Sequence, residues 1–250
     1  MDRLKDKIAI VSGAGGGIGS AICHRFAQEG AAIICVDINP STLDTTIADI
    51  ARNGGKANKL VADISLEETA VDAVKIAKDE YGGLDILVNN AVYDIALGPL
   101  TTISLDDWRR TMDVNLNSAF LMSKHAIPEM EIRGGGSIIH IASQLGRTAR
   151  PGRPWYCAQK AALINLAKAM ALDHAPQKIR VNSLSPGPVE TNRYLTNFSS
   201  QEEAQKTSNT LFDRLGKPDE IAAGAAFLAS DDASFVTGSD LLIDGGYTVP

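Results

Sequence analysis

Short, continuous apolar runs alternate along this chain with longer stretches in which apolar residues recur every three or four positions. The runs at 8–11, 32–36, 57–62, 84–88, 137–142, 178–184 and 241–243 read as strands buried in a sheet. Between the first two, Ile18, Ile22, Phe26 and Ala27 share one side of a helix that Glu29 and Gly30 close. Ser41 stands where an N-cap is expected, before a helix running to Asn53-Gly54-Gly55. Further helices are expected over 66–81, over 105–131 as one long element, over 161–173 with the residues leading into it, and over 218–230, which Pro218 opens. Residues 191–212 are polar and irregular, a candidate substrate lid. Strand and helix alternate from end to end, which predicts one α/β domain over 1–250. Its sheet is parallel and doubly wound, of about seven strands with helices on both faces.

Composition narrows the class. The chain has 250 residues, 44% hydrophobic and 22% charged, ordinary for a globular protein that buries a large core. A net charge of -6 argues against nucleic acid as a partner. No apolar stretch approaches the roughly 20 residues that cross a bilayer, so no membrane role is expected. The charged residues 1–7 lead straight into a strand, unlike a signal peptide. Cys23, Cys35 and Cys157 have no metal-ligand spacing, and any single disulfide leaves one over. No metal site is expected, and a reducing cytoplasm is.

The candidate chemistry follows the strands. The first ends in Ser12-Gly13-Ala14-Gly15-Gly16-Gly17-Ile18-Gly19 and a helix follows. Strand, glycine turn and helix N-terminus let backbone N–H groups approach a phosphate. Asp37 ends the second strand about 20 residues beyond the glycines, the separation at which a carboxylate meets an adenosine ribose; otherwise it is a turn residue before Asn39-Pro40. Asp63, after the third strand, either meets adenine or caps the next helix. Asn89-Asn90-Ala91 follow the fourth and read as a bracing or ligand-facing turn. Asn115, inside the long helix, leans by propensity toward solvent. Ser143 follows the fifth strand and Ser185-Pro186-Gly187-Pro188-Val189-Glu190-Thr191 the sixth. In a doubly wound sheet these positions converge on one edge, where a dinucleotide of the Rossmann type lies.

Tyr156 and Lys160 are four apart and so share a helix face. A cation beside a phenol favours phenolate and lowers its pKa toward a useful range. Ser143, thirteen residues earlier, would reach the oxygen exchanging a proton with Tyr156. The implied chemistry is proton transfer at an alcohol or ketone oxygen, coupled to a hydride moving elsewhere.

Taken together, Gly13-x-x-x-Gly17-x-Gly19, Asp63, Asn89-Asn90-Ala91, Asn115, Ser143, Tyr156-x-x-x-Lys160 and Pro186-Gly187 resemble the short-chain dehydrogenase/reductase family over essentially the whole chain. The resemblance implies that Asn115 holds a water in a proton relay to Lys160. Ser143 would orient the substrate oxygen, Tyr156 act as acid/base, and Lys160 bind the nicotinamide ribose. Val189 and Thr191 match positions at the nicotinamide carboxamide. Ile18, Ile38 and Ile64, flanking the glycine turn, Asp37 and Asp63, complete the expected cofactor surroundings with Ala91. A homotetramer is implied as well. Two departures stand out: Val92 replaces the usual glycine after Asn-Asn-Ala, and Ser12 stands where threonine is commoner.

The expected function is NAD-dependent interconversion of a secondary alcohol and a ketone. Asp37 would repel the extra phosphate of NADP, and neither Ile38 nor Gly16 offers a cation to it. The alternatives are a 3-oxoacyl carrier-protein reductase, which Asp37 disfavours, and a catalytically inactive dinucleotide sensor, which the complete Asn115, Ser143, Tyr156 and Lys160 set disfavours. A serine hydrolase is excluded because Ser143 lies in no Gly-x-Ser-x-Gly elbow; His140 nearby reads as a buried strand residue. Arg147, Arg150 and Arg153 crowd the approach to Tyr156, and Arg193 opens the candidate lid. Guanidinium forks suit oxyanions, so one reading is an anionic substrate; the other is that these are solvated loop arginines or pair with acids of a neighbouring subunit.

Overall fold

The strands, in chain order, are β1 (Ile8–Ser12), β2 (Ala32–Asp37), β3 (Lys56–Val61), β4 (Ile86–Asn89), β5 (Gly136–Ile141), β6 (Ile179–Pro186) and β7 (Asp240–Ile243). In this computed structural model, which describes residues 2–249, they form one Rossmann-like sheet in the order β3-β2-β1-β4-β5-β6-β7. Every neighbouring pair is parallel. Met1 and Pro250, the ends of the expected domain, lie outside the described residues.

The helices are α1 (Gly17–Gln28), α2 (Pro40–Arg52), α3 (Glu67–Tyr81), α4 (Leu105–Met112), α5 (Ser118–Ile132), α6 (Pro154–His174), α7 (Asn192–Leu195), α8 (Gln201–Lys206) and α9 (Pro218–Ala229). Strand side chains alternate between two cores, as the pleat requires. Ala9, Val11, Ile33, Cys35 and Leu184 face α1, α2 and α9, through Ile22, Phe26, Leu43 and Ile221. Ile8, Ile10, Ile34, Val36 and Val181 face α3, α5 and α6, through Ala73, Ala77, Met122, Met130 and Met170. Both faces are covered, which is why the runs 8–11 of β1 and 32–36 of β2 are apolar at every position. The β3 edge covers less, and there Lys56 and Lys59 meet water and discourage pairing with another chain.

Three local expectations need correction. Asn39, not Ser41, caps α2: its Oδ1 accepts from the Ser41 and Thr42 N–H groups at 3.0 and 3.3 Å, and Pro40 opens the first turn. The expected single helix over 105–131 is interrupted by a π turn, Asp113–Asn117, between α4 and α5. Residues 191–212 are not irregular throughout. They carry α7 and α8, capped by the hydroxyls of Thr191 and Ser200.

Candidate active site

The carboxyl ends of β1, β2, β4, β5 and β6 open on a cleft of about 450 Å3. It lies where the strand order turns back, between β1 and β4. At one end is the glycine turn. Gly13 and Gly17 have φ of 66° and 54°, values that suit glycine. A Cβ on Gly19 would lie 1.9 Å from the Gly13 carbonyl oxygen, so α1 can pack this closely only with glycine there. Gly16 has no atom within 4 Å of a built Cβ and faces open space. Thr191 stands over Gly17 from across the cleft, its side chain 3.1 Å from such a Cβ. Ser12 braces the turn: its hydroxyl accepts from the Asn90 and Ala91 N–H groups at 3.0 and 3.1 Å.

Asp37, half-buried, lines the same end. Its Oδ2 accepts from the Gly15 N–H at 2.8 Å and its Oδ1 from the Asn39 N–H at 2.9 Å. These bonds fix the carboxylate without neutralising it. Beside it Ile38 is exposed. Gly13, Gly17, Ile18, Ala91, Pro186, Gly187, Val189 and Thr191 also line the cleft. An open glycine cradle at the N-terminus of a twelve-residue helix, with a fixed carboxylate at the next strand end, fits a dinucleotide.

Asp63, Ile64 and Asn89 are placed differently. The Asp63 carboxylate is engaged: it accepts from the Ser65 N–H and hydroxyl at 3.0 and 2.7 Å and from Arg110 at 2.7 Å. Burial would raise its pKa, but the Ser65 and Arg110 bonds outweigh that and hold it below the ordinary value. Ile64 is a core residue against α3. Asn89 is buried and bonds Ser123 and the His140 Nδ1. His140 is fully buried, and burial, aided by nearby Lys160, pushes its pKa down to about 4. It is therefore neutral at physiological pH.

At the other end, α6 presents Tyr156 and Lys160 on one face, as four-residue spacing dictates. Both are buried, with 7% and 3% exposure. Trp155 packs edge-on against the Tyr156 ring, centroids 5.5 Å apart. Lys160 Nζ donates to the Ile141 carbonyl at 2.6 Å and lies 5.6 Å from the centre of the Tyr156 ring. Burial opposes ionisation of the Tyr156 phenol, but the positive charges of Arg193 and Lys160 outweigh it, so its pKa falls below the ordinary value. Burial likewise holds the Lys160 pKa below its ordinary value. The Ser143 hydroxyl donates to Gln144 Oε1 at 2.7 Å and accepts from the Leu145 N–H.

Asn115 is buried, not solvent-facing. Its Oδ1 accepts from the Tyr93 N–H at 2.6 Å; its Nδ2 donates to the Tyr93 carbonyl and to Gln159 Oε1 at 3.0 and 2.9 Å. Gln159 in turn donates to the Thr111 hydroxyl at 2.9 Å. The π turn that carries Asn115 is thus tied to α6 at the residue just before Lys160. π turns of this kind often sit at functional sites.

Arg150, Arg153 and Arg193 line the cleft with Tyr156. Arg147 does not; it pairs with Asp240 at 2.6 Å. Arg193 pairs with Asp94 at 2.7 Å, and its Cζ is 5.6 Å from the Tyr156 ring centre. Val92 packs with Leu145, Trp155 and Tyr156. It is not among the described residues with positive φ, so this turn does not require glycine. Among the described residues no group of three or more His, Cys, Asp or Glu side chains is placed to hold a metal, and no helix is long and apolar enough to cross a membrane.

A family model described as "Enoyl-(Acyl carrier protein) reductase" matches residues 13–248. The chain belongs to the short-chain dehydrogenase/reductase family. It is 43% identical to "Uncharacterized oxidoreductase YxbG" of Bacillus subtilis (strain 168), over 100% of this chain and 95% of that one. It is 36% identical to the meso-2,3-butanediol dehydrogenase of Serratia marcescens, over 98% and 96%. Among solved structures it is similar to a 7α-hydroxysteroid dehydrogenase complexed with NADH and 7-oxo glycochenodeoxycholic acid, with TM-score 0.92, 36% identity and coverage of 98% and 95%. Short-chain dehydrogenase/reductases use a nicotinamide dinucleotide, and this chain is an oxidoreductase of that family.

Several residues of this short-chain dehydrogenase/reductase site carry no sequence signal. Gln144 and Tyr247 line the cleft, and Gln159 anchors Asn115. Gln159 could have been suspected only from its place inside the Tyr156-to-Lys160 turn; Tyr247 arrives from the far end of the chain.

Proposed function

We propose that the protein is an NAD-dependent dehydrogenase that interconverts a secondary alcohol and a ketone, with Tyr156 as the acid/base. The observation that carries this reading is the buried Tyr156 phenol, held by α6 beside Lys160 and Ser143, with its pKa lowered by neighbouring cations. Gly13, Gly17, Ile18, Gly19 and Ala91 would take the pyrophosphate side of the cofactor, Asp37 the adenosine ribose, and Pro186, Gly187, Val189 and Thr191 the nicotinamide side. When bound, the oxidised cofactor supplies the acceptor for the hydride that leaves the carbinol carbon.

The remaining work falls to the chain. Tyr156 as phenolate takes the hydroxyl proton while the C=O bond forms, and returns it in reduction. Ser143 turns its hydroxyl from Gln144 to the substrate oxygen. Lys160 keeps Tyr156 acidic. The side-chain polar atoms of Asn115 are already bonded, so a relay water would bind its main-chain carbonyl. The meso-2,3-butanediol relative supports a secondary alcohol as substrate. The surplus of arginine near Tyr156 supports an acidic one. Residues 191–212 would close over it. Family membership supports a homotetramer, and the free Cys23, Cys35 and Cys157 support a reducing cytoplasm.

Tyr156→Phe tests the assignment, since it keeps the ring and removes the acid/base group. Turnover should fall about 10²- to 10⁴-fold, while NAD still binds by calorimetry. Near-normal turnover refutes the role. Oxidation should rise with pH as the phenol ionises, and reduction should fall.

A further inference from the structure

The substrate end of the cleft holds three guanidinium groups, those of Arg150, Arg153 and Arg193, around Tyr156. They are not equivalent. Arg193 is satisfied by Asp94. Arg153 meets only a neutral partner, donating to Asn197 Oδ1 at 3.3 Å. Arg150 lies by the Tyr194 hydroxyl, also neutral. Among the described residues neither Arg150 nor Arg153 has an acid within ion-pair distance. Arg153 is half-buried, and burial pushes its pKa below the ordinary value, which Asp94 nearby does not offset. Arginine stays charged regardless. A partly desolvated cation without a counter-ion costs stability, and clefts beside an acid/base group are where such costs recur.

Resting on the reading of Tyr156 as acid/base, we propose that Arg153 with Arg150 seats an oxyanion of the substrate, so that the protein acts on short hydroxy acids and the matching keto acids. Arg193 keeps its contacts with Asp94 and Tyr156 and is a positioning residue. The Cζ of Arg153 is 6.0 Å from the centre of the Tyr156 ring. The reacting oxygen must bond the phenol while the acid bonds the guanidinium fork. That geometry leaves room for only a few bonds between the carbinol carbon and the acid. Long acyl chains carried on a protein do not satisfy it. The fork accepts a carboxylate or a sulfonate alike.

The test uses the purified protein with NAD and three matched substrates: 3-hydroxybutanoate, its amide, and a hydroxyalkane sulfonate of the same length. 2-Butanol serves as the uncharged reference. Either acid should exceed the amide at least tenfold in kcat/KM, with the advantage falling as salt rises; the better acid identifies the oxyanion. Arg153→Gln should raise KM for that acid roughly ten- to hundredfold with kcat little changed, and lower kcat/KM for the acid at least tenfold more than for 2-butanol. Calorimetric binding of butanoate, which cannot be oxidised, to the protein with NADH should weaken by the same factor. If Arg153→Gln does not fold, Arg150→Gln and the salt dependence of wild-type butanoate binding decide. An amide as good as the acids, with both variants silent in kinetics and calorimetry, overturns the subsite and leaves the reading of Tyr156 standing. Absence of turnover on every alcohol overturns that reading instead, and butanoate binding then decides the subsite alone.

Discussion

Replacing Asp37 by asparagine removes one negative charge from the adenosine end of the cleft and leaves an acceptor oxygen. In the wild-type protein that carboxylate is held by the Gly15 and Asn39 N–H groups, at 2.8 and 2.9 Å, and cannot swing away from a bound ribose. Ile38 beside it offers no cation to a 2′-phosphate. Two unit charges at about 4 Å repel by about 4 kcal/mol at an effective dielectric constant of about 20. Asp37 is only half-buried, so solvent screens part of this. A penalty of about 2–4 kcal/mol should remain, which predicts a preference for NAD over NADP of about 30- to 1000-fold in kcat/KM. Asp37→Asn should bring that ratio to about 10 or less, with NADP gaining and NAD losing a charge-assisted bond. The assay is the absorbance of the reduced cofactor with each dinucleotide varied, and thermal unfolding checks that the turn survives. A wild-type ratio near one, or a ratio unchanged in the variant, refutes the role of Asp37.

Arg193→Gln removes one of the cations that hold the Tyr156 phenol below its ordinary pKa. With Tyr156 as the proposed base, oxidation would need phenolate, so the midpoint of its pH profile should move to higher pH and the rate at neutral pH should fall; an unmoved midpoint would show that Arg193 does not tune the phenol. Gln159→Leu strips Asn115 Nδ2 of an acceptor and the Thr111 hydroxyl of a donor, all in buried positions. It should cost about 1–3 kcal/mol in urea unfolding and lower turnover through the π turn. Unchanged stability would mean that the π turn does not depend on Gln159.

The doubly wound sheet was legible in the chain because its signals are local. A strand buried on both faces must be apolar at each position, as in Ile33 to Val36, while a helix covering it needs only one stripe, as in Ile22 and Phe26. The glycine turn is equally local, since positive φ at Gly13 and Gly17 suits a residue type that the sequence displays. Strand polarity then brings Asp37, Ser143 and Pro186 to one edge without further information. What folding alone decided depends on partners far away in the chain. Asn115 is weak inside a helix by propensity, yet it is buried in a π turn because Tyr93 and Gln159, 22 and 44 residues distant, satisfy its amide. Asp63 reads in the sequence as an adenine contact or a helix cap, and gives no sign that Arg110, 47 residues on, engages its carboxylate. The four arginines look alike in sequence; Asp240 draws Arg147 out of the cleft and Asp94 pairs with Arg193, across 93 and 99 residues. Among the described residues Arg150 and Arg153 are left without an acid at ion-pair distance, a difference the sequence hides because a long-range ion pair imposes no periodicity and no spacing on the chain that makes it.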